Sequence, residues 1–535
     1  MFNLLTEPLI RYRESGGTIR DASLPEVYAA LMADTVEAFP ALRPHQRHPL
    51  HAFLVQLGVM TIHRAGQDTA PTEAEEWHGI IQGLTPDWPD DEPWQLVVDD
   101  ITKPAFMQPP ASSPERASDF KNTVSTPDDL DMLVTSKNHD LKSEVARLAD
   151  PDDWLFALVT LQTTEGFSGA GNYGISRMNG GLGNRSSFAL APSTLKPGAH
   201  VQRDIEALLE FLPGILDSHQ GSHSGHSLLW TMPWDGNPAE ALTLNSLNPL
   251  FVEICRRIRL QADVRGLIHG VRTSSKAARI EAKSLNGLTG DPWALVDRRD
   301  KKGDKALTLP GSGFTYKRVA EYLTSADYGG PVLLSPTREE THSQETMELV
   351  ARAMVRGQGK TEGYHERRIP VRHRLRSAML RRNATDLSDA ATISQERIED
   401  VSKIQRILSH AIQTFENRGD STNTKPEQRE RARTWMDRLD EIVDATFFDD
   451  LQEELEADVA DRTATRARWL LNESDPKGVI DHARGLLYDA EDSLPCPAIH
   501  YYKARTAAEG LFEGRIRGGS GFPDLFPDPN EEAQE

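Results

Sequence analysis

The apolar periodicity of the chain changes near residue 374, and no other feature constrains the fold as strongly. Beyond that point apolar positions recur every three or four residues through five stretches, about 392–417, 427–460, 462–473, 478–493 and 498–516. Trp435, Leu439, Ile442 and Thr446 illustrate the spacing in the second. Pro426 stands near its start, where a missing amide proton is harmless. Ser421–Thr424 and Ser474–Pro476 read as joins. Long helices with short joins pack as an antiparallel bundle. Before residue 374 the elements are short and of both kinds. The expected class is therefore α+β: a mixed α/β domain over 1–373, a helical domain over 374–518 and a flexible tail over 519–535. With 535 residues the chain exceeds the roughly 250–300 at which a single core stops growing, so at least two domains are expected.

Within the first domain, HPLHAFLVQLGVMTIHRA at 48–65 predicts a buried helix, with further helices near 154–161, 200–215 and 340–356. Gly16-Gly17 predicts a tight turn in a small sheet. Short apolar runs at 228–233, 266–280, 292–296 and 305–309 predict strands, and the proline-rich stretch 103–130 a long loop.

Acidic residues outnumber Lys and Arg by 81 to 60, a formal charge of −21. Such a surface does not coat naked nucleic acid, but it leaves room for a local basic groove. Two cysteines, Cys255 and Cys496, exclude a disulfide scaffold and a cysteine-rich zinc site. The opening residues lack the pattern of a signal peptide, and no run of about 20 apolar residues exists to cross a membrane. A reducing cytoplasm is the expected location.

GQGKT at 357–361 invites a phosphate-loop reading, but Met354 stands where the first glycine is needed and the preceding segment reads as helix. The same loop opens a basic run in which Arg367, Arg368, Arg372, Arg374 and Arg376 can neutralise phosphate. The competing account of those arginines is a solvated basic face or salt bridges with the acidic helical bundle. Seven glycines crowd the stretch 166–187, where Asn172, Asn179, Asn184, Arg177 and Arg185 supply donors. Glycine at that density marks turns or close backbone approach to a ligand such as a DNA minor groove. TSKNHDLKSE at 135–144 is a polar run suited to RNA bases or to capping a helix. His219, His223 and His226 lie in a polar surface loop without a completing ligand. No nucleophile elbow, zinc-protease motif or compact carboxylate pair is present. No catalytic residue, cofactor or metal is expected.

The ordered series NLLTEP (3–8), HPLHAFLVQL (48–57), LVTSKNHDLK (133–142), GFSGAGNYGISRMNGG (166–181), LLWTMPWDG (228–236), FVEICRRIRL (251–260), GDPWALV (290–296) and GQGKTEGYHERR (357–368) resembles the CasA large subunit of the type I-E CRISPR complex Cascade. The likeness is close over roughly 2–380 and architectural beyond. It implies a C-terminal four-helix bundle and a non-catalytic place in a particle with a guide RNA, other Cascade subunits, a double-stranded DNA target and a separate helicase-nuclease. It implies that Lys137, Asn138 and His139 belong to a loop anchoring the guide RNA. Asn179, Gly180, Gly181 and Gly183 would form a glycine loop at the DNA minor groove, and Lys301 or Lys302 a lysine finger. Gly357, Gln358, Gly359, Lys360 and Thr361 would form a strand-separating wedge. Arg367, Arg368 and Arg372 are expected at phosphates. Thr361 stands where the family's wedge glutamine aligns, with Gln358 three residues earlier. The family's cysteine-based zinc site has no match. The competing reading is a protein-interaction subunit that does not itself read DNA.

Overall fold

The computed structural model describes residues 2–131, 133, 149–179, 185–194, 196–218, 221–222, 224–357, 360–380, 387–423, 425–472, 474, 477–519 and 521–526. It divides into two compact units, Met1–Phe314 with Ala326–Val371, and Thr315–Ser325 with Arg372–Glu535.

The first unit is mixed. Its centre is the helix Arg47–Arg64, buried continuously from His48 to Ile62 because apolar side chains run all round it. Helices Leu24–Met32, Pro151–Thr164 and Pro197–Ser218 pack against it or its neighbours. Small sheets surround this core. Strands Ile10–Glu14 and Ile19–Ala22 form a hairpin whose turn uses Gly16 and Gly17 at φ 125° and 89°. The largest sheet is antiparallel, with Met347–Gly357 central between Ser186–Pro192 and Lys360–Val371.

That central strand overturns the helix expected over 340–356, where a short helix, Arg338–His342, reaches only the first three residues. Leu349, Ala351, Ala353 and Val355 are buried at period two, and Val350 is buried on the opposite side. A strand covered on both faces carries a near-continuous apolar run, which periodicity alone does not separate from a buried helix.

The second unit is helical. Leu387–Glu416, Pro426–Glu456, Val479–Ser493 and Ala498–Arg517 are its four long helices, with Arg462–Leu471 and His373–Leu380 between and before them. Val401, Leu408 and Phe415 on the first and Leu439, Val443, Phe447 and Leu451 on the second are buried at helical spacing, and the two helices pack together. Each such side chain contributes about 1.5–3 kcal/mol relative to exposure. The helix Tyr316–Thr324 also belongs here, although the sequence reading places all of 1–373 in one body. Tyr316, Val319, Ala320 and Leu323 form its buried stripe, and the Tyr316 hydroxyl donates to Asp440 at 2.7 Å. Both cysteines are free. Among the described residues no helix is long and apolar enough to cross a membrane.

Candidate nucleic-acid interface

Gly180, Gly181 and Gly183 lie outside the described residues, but both ends of their loop are fixed. At one end Arg177 is buried, stacks on the Phe251 ring at 4.1 Å and donates to the Phe251 carbonyl at 2.9 Å. Its nearest carboxylate oxygen, on Glu253, is 3.8 Å away, and Glu253 also accepts from the Ser176 amide at 2.7 Å. Burial raises the Glu253 pKa, and Arg177 offsets this only in part. At the other end Arg185 grips Asp291 with two bonds, 2.7 and 3.0 Å, and donates to the Thr163 carbonyl at 3.2 Å. Burial alone would raise Asp291, but Arg185 outweighs it and holds the carboxyl below its ordinary range. Arg177 and Arg185 are thus internal anchors, not the nucleic-acid donors that the sequence suggests.

Asn179 is partly buried where the loop departs. Gly287 lies against it at φ 83°, and a Cβ there would stand 2.7 Å from Met178 C, 2.9 Å from Asn179 N and 2.8 Å from Ala306 Cβ. Only glycine permits that approach. Ala306 closes the hairpin carrying the two candidate lysines, in which Val296–Asp297 pairs with Lys305–Ala306. Its turn is shaped by Asp300, which accepts from the Lys302 amide and the Lys305 ammonium at 3.0 Å each, and by Gly303 at φ 123°. Lys301 and Lys302 are exposed. Among the described residues neither ammonium makes a hydrogen bond or ion pair.

The loop's far end enters the largest sheet. Ser186 pairs with Ala353, and its hydroxyl donates to the Leu307 carbonyl at 3.1 Å, one residue past the lysine hairpin. From Ala353 the central strand continues four residues to Gly357, about 13 Å at the usual strand rise. Gly357 pairs there with Lys360, and Arg356 with Thr361. A bulge before Gly363, at φ 111°, increases the local twist of this strand pair. Gln358 and Gly359 lie outside the described residues. The segment before GQGKT is therefore a strand, not the expected helix. A phosphate loop is excluded on another ground: the next element, Lys360–Val371, is an antiparallel strand with no helix N-terminus to cradle phosphate.

The basic run does not present one phosphate-binding face. Arg367 and Arg368 are adjacent in a strand and point to opposite sides. Arg367 donates to the Phe314 carbonyl at 2.9 Å, and Arg368 is paired with Glu366 at 2.7 Å. Glu366 also takes Arg352 at 3.1 Å and the Tyr364 hydroxyl at 2.6 Å, and its pKa falls to about 2 as these partners overcome burial. Arg372 belongs to the helical unit, where it pairs with Glu456 at 3.0 Å, and Arg376 is buried.

Lys137, Asn138 and His139 lie outside the described residues. The chain enters their segment from Asp131, which accepts from Arg43 at 2.7 Å and contacts His45 at 2.9 Å. It leaves through Asp150 and Asp152, both bound to Arg11 at 2.6 Å. His219 and His223 are likewise outside, and His226 is an exposed strand residue. Sequence reasoning missed Glu253, Gly287 and Asp291. The motif GDPWALV contains Asp291, but its partnership with Arg185 spans 106 residues and leaves no local signal.

Small antiparallel sheets around one buried helix, joined to a helical unit, define the fold class. That fold is the one seen in CRISPR-associated Cse1 and CasA structures. Cse1 from Acidimicrobium ferrooxidans is 16% identical with a TM-score of 0.65, over 96% of this chain and 97% of that chain. Thermus thermophilus CasA (Cse1) is 13% identical with a TM-score of 0.61, over 96% and 98%. A chain of a CRISPR RNA-guided surveillance complex described as pre-nicking is 12% identical with a TM-score of 0.52, over 98% and 99%. No family model matches the chain, and no curated protein matches its sequence significantly.

Proposed function

We propose that this chain is the non-catalytic large subunit of an RNA-guided surveillance complex. In this reading it recognises the short DNA motif beside the target, starts strand separation and supports docking of a helicase-nuclease. One observation carries the proposal: the glycine segment, the lysine hairpin and the wedge hairpin root in one packed cluster, through Gly287, Ala306, Leu307, Ser186 and Ala353. The fold likeness to Cse1 and CasA supports the general role, and the surveillance-complex likeness supports guide RNA and companion subunits as partners.

The physical logic is an exchange of base pairs without bond chemistry. Glycine backbone between two buried arginine anchors can approach a minor groove, where the guanine amino group is the distinguishing feature. Lys301 and Lys302 supply uncommitted charge for phosphates. The segment Gly357–Lys360 fills the gap where the first pair opens. Guide–target pairing then replaces DNA pairing at nearly equal free energy, so modest protein contacts tip the balance. Lys137, Asn138 and His139 would hold the guide RNA.

The test is DNA binding by the reconstituted particle across a panel of flanking trinucleotides, with and without this subunit. Motif dependence should vanish without the subunit and weaken with Lys301→Ala/Lys302→Ala. Motif dependence untouched by either change would leave a protein-interaction role and refute DNA reading.

A further inference from the structure

Two central helices of the mixed unit meet with three potential metal ligands between them. His51 comes from Arg47–Arg64, and His200 and Asp204 come from Pro197–Ser218, four residues apart and hence on one face. All three are buried, and their nearest ligand atoms lie within 4.8 Å of one another. His51 Nε2 stands 2.8 Å from Asp204 Oδ2, and His200 Nε2 stands 3.7 Å from the same oxygen. The other carboxylate oxygen, Oδ1, accepts from Arg203 at 3.1 Å, which turns Oδ2 toward the histidines.

The hydrogen bond between His51 and Asp204 accounts for two members of the cluster but not the third. His200 is only 7% exposed, and its Nε2 has no hydrogen-bond partner among the described residues. An orphaned buried polar atom destabilises the fold that holds it. Beside it a cavity of about 270 Å³ is lined by both His51 and His200, giving an entry path and space for a further ligand. Carboxylates partly offset the nearby guanidiniums: Arg203 bonds Glu340 at 2.9 Å, and Arg352 at 3.1 Å and Arg368 at 2.7 Å share Glu366.

We propose that His51, His200 and Asp204 form a buried site for one divalent transition-metal ion, with zinc favoured by the ligand set. Two imidazoles, one carboxylate and a water complete the four-coordinate shell that zinc takes, at about 2.0–2.2 Å from each protein ligand. Loading replaces the His51–Asp204 hydrogen bond: the ring proton moves to Nδ1 and the Nε2 lone pair faces the ion. The ion would tie the two helices together and satisfy the orphaned nitrogen. This site is independent of the DNA-reading proposal.

The test uses the full chain with His219, His223 and His226 changed to Asn, so that the surface loop does not compete. Zn²⁺ is titrated against a chromogenic chelator, and Co²⁺ is added separately as an absorbing probe. One equivalent of zinc should bind, a tetrahedral Co²⁺ band should appear, and zinc should raise the melting temperature. His200→Phe, which keeps a ring against His51, should weaken zinc more than about 10-fold and abolish the Co²⁺ band. Absence of stoichiometric binding in the parent, or unchanged binding in His200→Phe, overturns the site. If that variant does not fold, the parent decides: no rise in melting temperature with zinc refutes the proposal.

Discussion

Each end of the glycine loop is held by a buried arginine, yet the two ends are held differently. Arg185 closes a two-bond fork on Asp291. Arg177 sits on an aromatic face and a carbonyl, with its carboxylate partner 3.8 Å away and Glu253 Oε1 lacking a hydrogen bond. The carboxyl pKa values diverge accordingly, Asp291 lowered and Glu253 raised. A buried ion pair is stiff where its geometry satisfies the charges and tolerant where it does not. The Arg185 end is thus the fixed post of the loop and the Arg177 end the yielding one.

The largest expected effect is at the fixed post. Arg185→Ala leaves Asp291 buried without its partner and should cost about 3–5 kcal/mol in denaturant unfolding of the full chain. Arg177→Met retains an apolar body over Phe251, and Glu253 can take up a proton, so the loss should be nearer about 1–2 kcal/mol. Equal losses at the two positions would break the comparison.

The same contrast explains what the sequence could and could not reveal. The helix around Leu50–Ile62 and the four long C-terminal helices are legible because their apolar spacing is local and sustained. The strand Met347–Gly357 is not, because residues buried on both faces erase the alternation. The helix Tyr316–Thr324 carried a usable signal, Tyr316, Val319, Ala320 and Leu323 at helical spacing, behind the turn-forming Pro310–Gly313. At the candidate site the sequence shows where cations are but not whether they are committed. Arg177 and Arg185 read as donors to DNA, and only their pairing with residues 74 to 106 positions away reveals them as anchors. Lys301 and Lys302 have the same formal charge and remain exposed.

That difference between committed and available charge sets the next expectation. Lys301→Ala/Lys302→Ala should change the stability of the chain by no more than about 0.5 kcal/mol. In the reconstituted particle the same change should lower DNA affinity and flatten its logarithmic salt dependence by about 0.9 for each phosphate no longer neutralised. A lower melting temperature with unchanged salt dependence would make the lysines structural, like the two arginines.

The smallest effect is in the pH profile, and it separates the two loop ends by sign. Asp291 has a lowered folded pKa, so its contribution is complete above its ordinary value of 3.8 and is lost as pH falls through the lowered one. Glu253 has a raised folded pKa, so its contribution is complete below its ordinary value of 4.5 and is lost as pH rises through the raised one. Unfolding midpoints measured from pH ~3 to ~8 should therefore move in opposite directions relative to the unaltered chain. Glu253→Gln should gain on it as pH rises, because the variant has no carboxyl to ionise in the core. Asp291→Asn should fall behind it only as pH rises to about 3.8, and keep a constant deficit above, because the carboxylate that satisfies Arg185 is by then fully formed. Profiles that shift together would mean that the two arginines bind their carboxylates alike, and that the loop has no yielding end.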